Sequence, residues 1–304
     1  MRGLTRLPIA ILVACLTACT IGGSSSSDGA GGGKLRVVAA ENFWGSIASQ
    51  LGGDLVQVQS IVSNPNADPH DYEPTAEDAR AFASAQIVIE NGIGYDPWAQ
   101  KLLEANPVTG RIVVDVGDVV GVQPGGNPHQ WYSPDSVRAV IDAIDAAYVK
   151  RQPSSSAELA KLKTTFETVT LKPYFSLIAS IRSRYAGTPV GASESIFEPM
   201  ASALGLKLLT PPSFLEAVSE GTEPTAADLT EIHRQISSHE IDVYVYNSQN
   251  AIPDIQRQIE ECRANGIPVS TVTETLVPAG VTFQAWQTSE LHGLEAALSK
   301  AVGH

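Results

Sequence analysis

Twice along this chain, short runs rich in β-branched residues alternate with helix-like stretches, and a long helical region separates the two blocks. The first block offers LRVVAA (35–40), VQVQSIV (56–62), AQIVIEN (85–91) and RIVVDV (111–116) as strands. PTAEDARAFASA and DPWAQKLLEAN read as helices between them. The second block repeats the scheme with TPVGASE, GLKLLTP, IDVYVYN and IPVSTVT as strands, and with TAADLTEIHRQISS and IPDIQRQIEECRANG as helices. Strands separated by helices demand crossover connections, so this alternation predicts two α/β lobes with mainly parallel sheets. Between them, helical patterns run from about Ser133 to Tyr148 and from about Ser155 to Tyr185, the second interrupted or bent at Pro173. Ligands of open α/β sheets bind beyond the carboxyl ends of the strands, so a cleft between the lobes is the expected site.

The chain of 304 residues is long enough for both lobes to bury cores, and 43% hydrophobic content is ample for that. Acidic residues outnumber basic ones 33 to 20, giving a formal charge of -13 that repels nucleic-acid backbones and anionic membranes. Cys15, Cys19 and Cys262 are the cysteines. Two of them lie in the first twenty residues, so no internal disulfide framework is expected in the remainder. Cys262, inside IQRQIEECRANG, reads as a small buried apolar residue.

Arg2 and Arg6 precede an apolar run from Leu7 to Ala18, the layout of a secretory signal too short to span a bilayer comfortably. Leu16-Thr17-Ala18-Cys19 resembles the lipobox of bacterial lipoproteins, in which the cysteine sulfur receives the lipid. Cys15 also fits, but cleavage there leaves a hydrophobic region at the short end of the usual range of about 7–15 residues, so Cys19 is preferred. Ser24 to Gly33, SSSSDGAGGG, reads as a flexible tether. The expected organisation is a signal peptide over 1–18, the anchor cysteine and tether over 19–33, a first α/β lobe over 34–150, a linking helix over 151–187 and a second α/β lobe over 188–304. That layout places the protein outside the cytoplasm, on the bacterial membrane through a lipid alone.

Of six histidines, His70 and His129 stand in stiff loops, each directly after a proline, in NADPHDYEP and NPHQWYSP. His233, His239, His292 and His304 read as surface or helix-terminal residues. The run Asp68-Pro69-His70-Asp71-Tyr72-Glu73-Pro74, then Asn91-Gly92 through Asp96-Pro97-Trp98, then Pro128-His129-Gln130-Trp131-Tyr132-Ser133-Pro134 closely resembles the solute-binding receptors of zinc and manganese ABC importers. The resemblance extends over nearly all of Leu35 to Ala301.

That resemblance implies metal ligation by His70 and His129 from the first lobe and by two residues from the second. Its third ligand falls on Glu194 in GASESIFEPMASALGLK, with Glu198 the nearby competitor. The fourth, an Asp or Glu ending a strand in the family, falls on Asn247, which reads either as a neutral oxygen ligand or as a turn residue. The family's histidine-rich loop is missing, since SNPNADPH holds one histidine. Two imidazoles and a carboxylate suit a borderline ion, so one Zn²⁺ or Mn²⁺ per chain is expected as cargo, zinc being held more tightly in vitro. Acid should release it, because histidine binds metal unprotonated and ordinarily titrates at about 6.5.

The implied function is capture without catalysis, by a monomer that delivers its ion to an ABC permease and its ATPase. Two other classes compete. A zinc-dependent hydrolase would keep an open coordination position, yet the chain has no H-E-x-x-H helix and no G-x-S-x-G elbow. A surface adhesin lipoprotein would bind no metal at all.

Overall fold

The computed structural model describes residues 33–64 and 72–303. The signal, anchor and tether expected over the first 33 residues, with Cys15 and Cys19, lie outside the described residues except for Gly33, and so does His70. Lys34–His304 forms one compact unit.

Two four-stranded sheets carry the fold. The first has order β2-β1-β3-β4, from β1 (Leu35–Glu41), β2 (Val56–Val62), β3 (Ile87–Glu90) and β4 (Ile112–Asp115). The second has order β6-β5-β7-β8, from β5 (Pro189–Ala192), β6 (Lys207–Leu208), β7 (Val243–Asn247) and β8 (Val269–Val272). All pairs are parallel, with Val38 opposite Gln59 and Val88, and Val245 opposite Ala192 and Ser270. The alternation of strand and helix therefore gives the architecture it predicts. β6 is shorter than GLKLLTP suggests, because its neighbour begins at Pro189, which has no N–H for the ladder, and Pro211-Pro212 closes the segment.

The helices are α1 (Asn42–Gly52), α2 (Ala76–Ser84), α3 (Pro97–Ala105), α4 (Val116–Val120), α5 (Pro134–Arg151) and α6 (Ser156–Thr165). They continue as α7 (Lys172–Tyr185), α8 (Glu198–Leu204), α9 (Pro212–Ser219), α10 (Ala226–Ser237), α11 (Pro253–Ala264) and α12 (Phe283–Val302). Local chemistry sets several starts. Thr75 and Asp78 form a reciprocal capping box on α2, Ser133 accepts from Ser136 N ahead of Pro134 at α5, and Thr225 accepts from Asp228 N at α10.

The expected linking helix is two helices in this structure. A π turn, Phe166–Thr170, joins α6 to α7. Pro173 has no N–H to offer the carbonyl four residues back, so the α-helical ladder stops and restarts at Lys172. Among the described residues no helix is long and apolar enough to cross a membrane.

One continuous apolar core runs from the first sheet through α1, α5, α7 and α12 to the second sheet. Phe43 stacks on Trp131 with centroids 4.0 Å apart, and Trp286 meets Tyr132 edge-on at 5.7 Å. A smaller cluster under α2 and α3 covers the other face of the first sheet. Cys262 is buried in α11 with a free thiol that burial pushes up to about 12, so it stays a neutral core residue.

Candidate metal site

His129 and Glu194 stand in loops, Asn247 is the last residue of β7 and Glu198 the first of α8. His129 opens a 3₁₀ turn, Gln130–Tyr132, and is fully buried. Asn127 holds it in place. The Asn127 Oδ1 atom accepts from His129 N at 2.9 Å and lies 2.8 Å from His129 Nδ1. Its Nδ2 donates to Ser195 O at 2.8 Å and to Glu198 Oε2 at 2.7 Å. Two acceptors on one side fix the amide, so its oxygen faces Nδ1 and the ring proton belongs there. Nε2 is left with its lone pair, and this buried atom makes no hydrogen bond among the described residues.

Facing Nε2 at 3.5 Å is Glu274 Oε1. Glu274 lies two residues past the end of β8, in a position that sequence reasoning missed. Tyr95 from the first lobe donates its hydroxyl to Glu274 Oε2 at 2.8 Å, and Asn247 Nδ2 donates to Oε1 at 3.1 Å. Tyr95 is aimed by an unusual loop: Gly92, Ile93 and Gly94 all have positive φ, at 66, 62 and 91°. A Cβ on Gly92 would stand 2.4 Å from Asp115 Oδ1, so glycine is required there. Ile93 in that region is strained, at a cost of about 1–3 kcal/mol. The Asn-Gly pair is thus a turn built to present Tyr95.

Asn247, nominated as a ligand, ends β7 and is buried. Its Oδ1 accepts from Gln249 N at 3.0 Å while its Nδ2 goes to Glu274, so both ends of the amide are engaged in holding the loop and the carboxylate. Glu194 follows β5 and is buried. Glu198, its competitor, is half-buried, accepts from Asn127 and lines a cavity of 390 Å³ with Ser195, Glu216 and Glu220. Among the described residues no three His, Cys, Asp or Glu side chains converge closely enough to hold an ion. What the described part provides is the His129 and Glu274 pair, with Glu194 two strands away in the same sheet.

Under the first sheet's carboxyl edge lie buried acids. Burial, then the charge of Asp96, drives the Glu41 carboxyl far above its ordinary range. Burial lifts Asp96 to about 6 despite the N–H groups of Asn91 and Gly92. Burial also lifts Glu90 to about 8. Carboxyls raised in this way hold their protons more readily than exposed ones and so carry less negative charge.

Proteins related in sequence and structure bear on these observations. The family model of the zinc-uptake complex component A, periplasmic, matches residues 37–297. The iron-binding protein YfeA of Yersinia pestis is 29% identical over 185 residues, 57% of this chain and 58% of that protein. The metal ABC transporter substrate-binding lipoprotein SsaB of Streptococcus sanguinis is 30% identical over 56% of this chain and 59% of its own length. The zinc-binding lipoprotein AdcA of Streptococcus pneumoniae is 23% identical over 94% of this chain and 60% of that protein. The matches to YfeA and SsaB, and one to a manganese-binding lipoprotein of Halalkalibacterium halodurans, therefore span about half to three fifths of those relatives' length. Two solved structures share the fold over 88% of the chain. One is the Mn-bound periplasmic metal-binding protein of Candidatus Liberibacter asiaticus, at 21% identity, TM-score 0.70 and its full length covered. The other is the periplasmic zinc-binding protein TroA of Treponema pallidum, at 17% identity, TM-score 0.71 and 99% of it covered. With a match that runs from β1 into α12, the chain belongs to the ZnuA family, the periplasmic zinc-uptake complex component A.

Proposed function

We propose that this protein is an extracytoplasmic receptor that captures one divalent transition-metal ion between lobes of residues 34–150 and 188–304 and delivers it to an ABC permease and its ATPase. Cys19 anchors it to the membrane, and it acts as a monomer without catalysis. Relatives named for binding iron, manganese and zinc support the class of cargo.

The ligands in this reading are His70, His129, Glu194 and Glu274, while Asn247 positions Glu274 instead of binding the ion. One observation carries it: the 3.5 Å between His129 Nε2 and Glu274 Oε1. That is too long for a hydrogen bond, which would close to about 2.7–3.2 Å. Two donors about 2.1 Å from a tetrahedral zinc stand about 3.4 Å apart. Around an octahedral ion at a similar bond length the adjacent donors stand about 3.0 Å apart. Tyr95 occupies the second oxygen of Glu274, which favours one oxygen per carboxylate and four ligands in all. Zn²⁺ is the ion this spacing fits best, with Mn²⁺ the next candidate.

Competitive titration of the metal-free protein with Zn²⁺ and Mn²⁺ tests the reading. One ion per chain is expected, with binding lost or greatly weakened in His70→Ala, His129→Ala and Glu274→Ala. Full affinity in all three would remove the site.

A further inference from the structure

After β8 the chain crosses from the second sheet to the first lobe, carrying Glu274 on the way, and reaches α1 before α12 begins. There α1 offers Asn42, Ser46 and Gln50 at i, i+4 and i+8, a polar stripe along one side of a helix whose other side is core. Asn42 is engaged by the crossing segment, and Ser46 and Gln50 by the first turn of α12 into which it runs. Leu276 N donates to Asn42 Oδ1 at 3.2 Å, and Phe283 N donates to Ser46 Oγ at 2.9 Å. Gln50 and Gln284 exchange two amide hydrogen bonds, at 3.1 and 2.8 Å. Thr282, at the N-cap of α12, makes no side-chain cap, so Ser46 from another helix satisfies the exposed N–H instead.

We propose that Asn42, Ser46 and Gln50 are positioning residues that strap the Glu274 segment to the first lobe and so set how long a bound ion is retained. The inference rests on the reading of Glu274 as a ligand. The same segment is tied to the second lobe through β8 and through the paired bonds between Gln249 and Thr275, both 3.0 Å. Separation of the lobes must therefore break either those ties or the contacts to the first lobe, where the stripe acts beside the Tyr95 bond to Glu274 and the Tyr132 bonds to Thr273. All the stripe contacts are uncharged. They border an open groove of 510 Å³ lined by Ser49, Ser60, Ser63 and Thr282, where water can replace each bond. Neutral bonds beside water have modest net strength, which suits a strap that must both hold and release.

The test uses the full chain loaded with one equivalent of Zn²⁺, with release followed into excess chromogenic chelator. Ser46→Ala, Gln50→Ala and Gln284→Ala are each expected to release zinc about two- to tenfold faster than the wild type. The Gln50→Ala/Gln284→Ala double variant is expected to release no faster than the faster single, because one contact is lost in all three. The unfolding midpoint of each metal-free variant is measured alongside. Wild-type release rates in every variant, with or without a lowered midpoint, would overturn the strap while leaving the metal site intact. Additive effects of Gln50→Ala and Gln284→Ala would overturn it too. A wild-type protein that takes up no zinc, or a Glu274→Ala variant that binds it normally, would overturn the functional reading on which the strap rests.

Discussion

Asn127 is the residue whose loss should reveal how His129 is prepared for metal. Asn127→Ala removes the acceptor for the Nδ1 proton, the acceptor for His129 N and both donors to the second lobe at Ser195 O and Glu198. Ser195 Oγ, 3.3 Å from Nδ1, remains as a weaker partner that serves either tautomer. The imidazole then loses the bond that fixes its proton on Nδ1 and its ring plane toward Glu274. Removing such an outer partner of a ligating histidine costs about 10–100-fold in affinity. That range equals about 1.4–2.7 kcal/mol, which is what two neutral hydrogen bonds of about 0.5–1.5 kcal/mol each supply when both bonds to His129 are lost together. Glu198→Gln is the control, since it keeps an oxygen for Asn127 Nδ2 and should change affinity by less than about threefold. Competition against a zinc chelator at neutral pH, with circular dichroism to verify folding, reads both. A folded Asn127→Ala protein that binds zinc as the wild type does would refute the tautomer argument.

Other consequences follow from the same geometry. Asn247→Asp replaces the donor to Glu274 Oε1 by a repelling carboxylate and should weaken zinc binding by about tenfold in the same assay; tighter binding would make residue 247 a ligand. Glu290 is half-buried, accepts from Thr273 Oγ1, Trp286 Nε1 and, at 2.6 Å, Tyr132 OH, and desolvation of its carboxyl raises it from 4.5 to about 8. Its protonated form is favoured by folding, so this group's contribution to stability is complete below about pH 4.5 and lost as pH rises through 8. Denaturant titrations across that window should show stability falling more in the wild type than in Glu290→Gln, and equal slopes would contradict the assignment. Thr75→Ala breaks the capping box of α2 and should lower unfolding free energy by about 0.5–2 kcal/mol in urea.

The large features were legible because they are carried by local patterns. Runs such as LRVVAA and IDVYVYN are apolar on both faces, which only a strand buried between helices tolerates, so both sheets could be read directly. The helices α1 and α12 are harder to read, because small and polar residues such as Gly45, Ser46 and Ser49 dilute the pattern of α1 and the buried Gln287 and half-buried Glu290 interrupt the apolar face of α12. His129 announced itself through its proline and its neighbours. Glu274 did not. The chain passes two residues beyond β8 before the carboxylate appears, in TVTETLVP, and nothing local distinguishes it from a surface acid. Among the described residues, Tyr95 and Asn247, 179 and 27 residues away, hold it by hydrogen bonds that no local pattern announces. The resemblance places the fourth ligand on Asn247, and the structure has both ends of that amide hydrogen-bonded to the protein.

Anomalous diffraction at the zinc absorption edge, from crystals of the zinc-loaded protein, tests the central claim most directly. A single strong peak is expected about 2.0–2.2 Å from both His129 Nε2 and Glu274 Oε1, with His70 and Glu194 completing a tetrahedron. A peak bound elsewhere, or none between those two atoms, would contradict it.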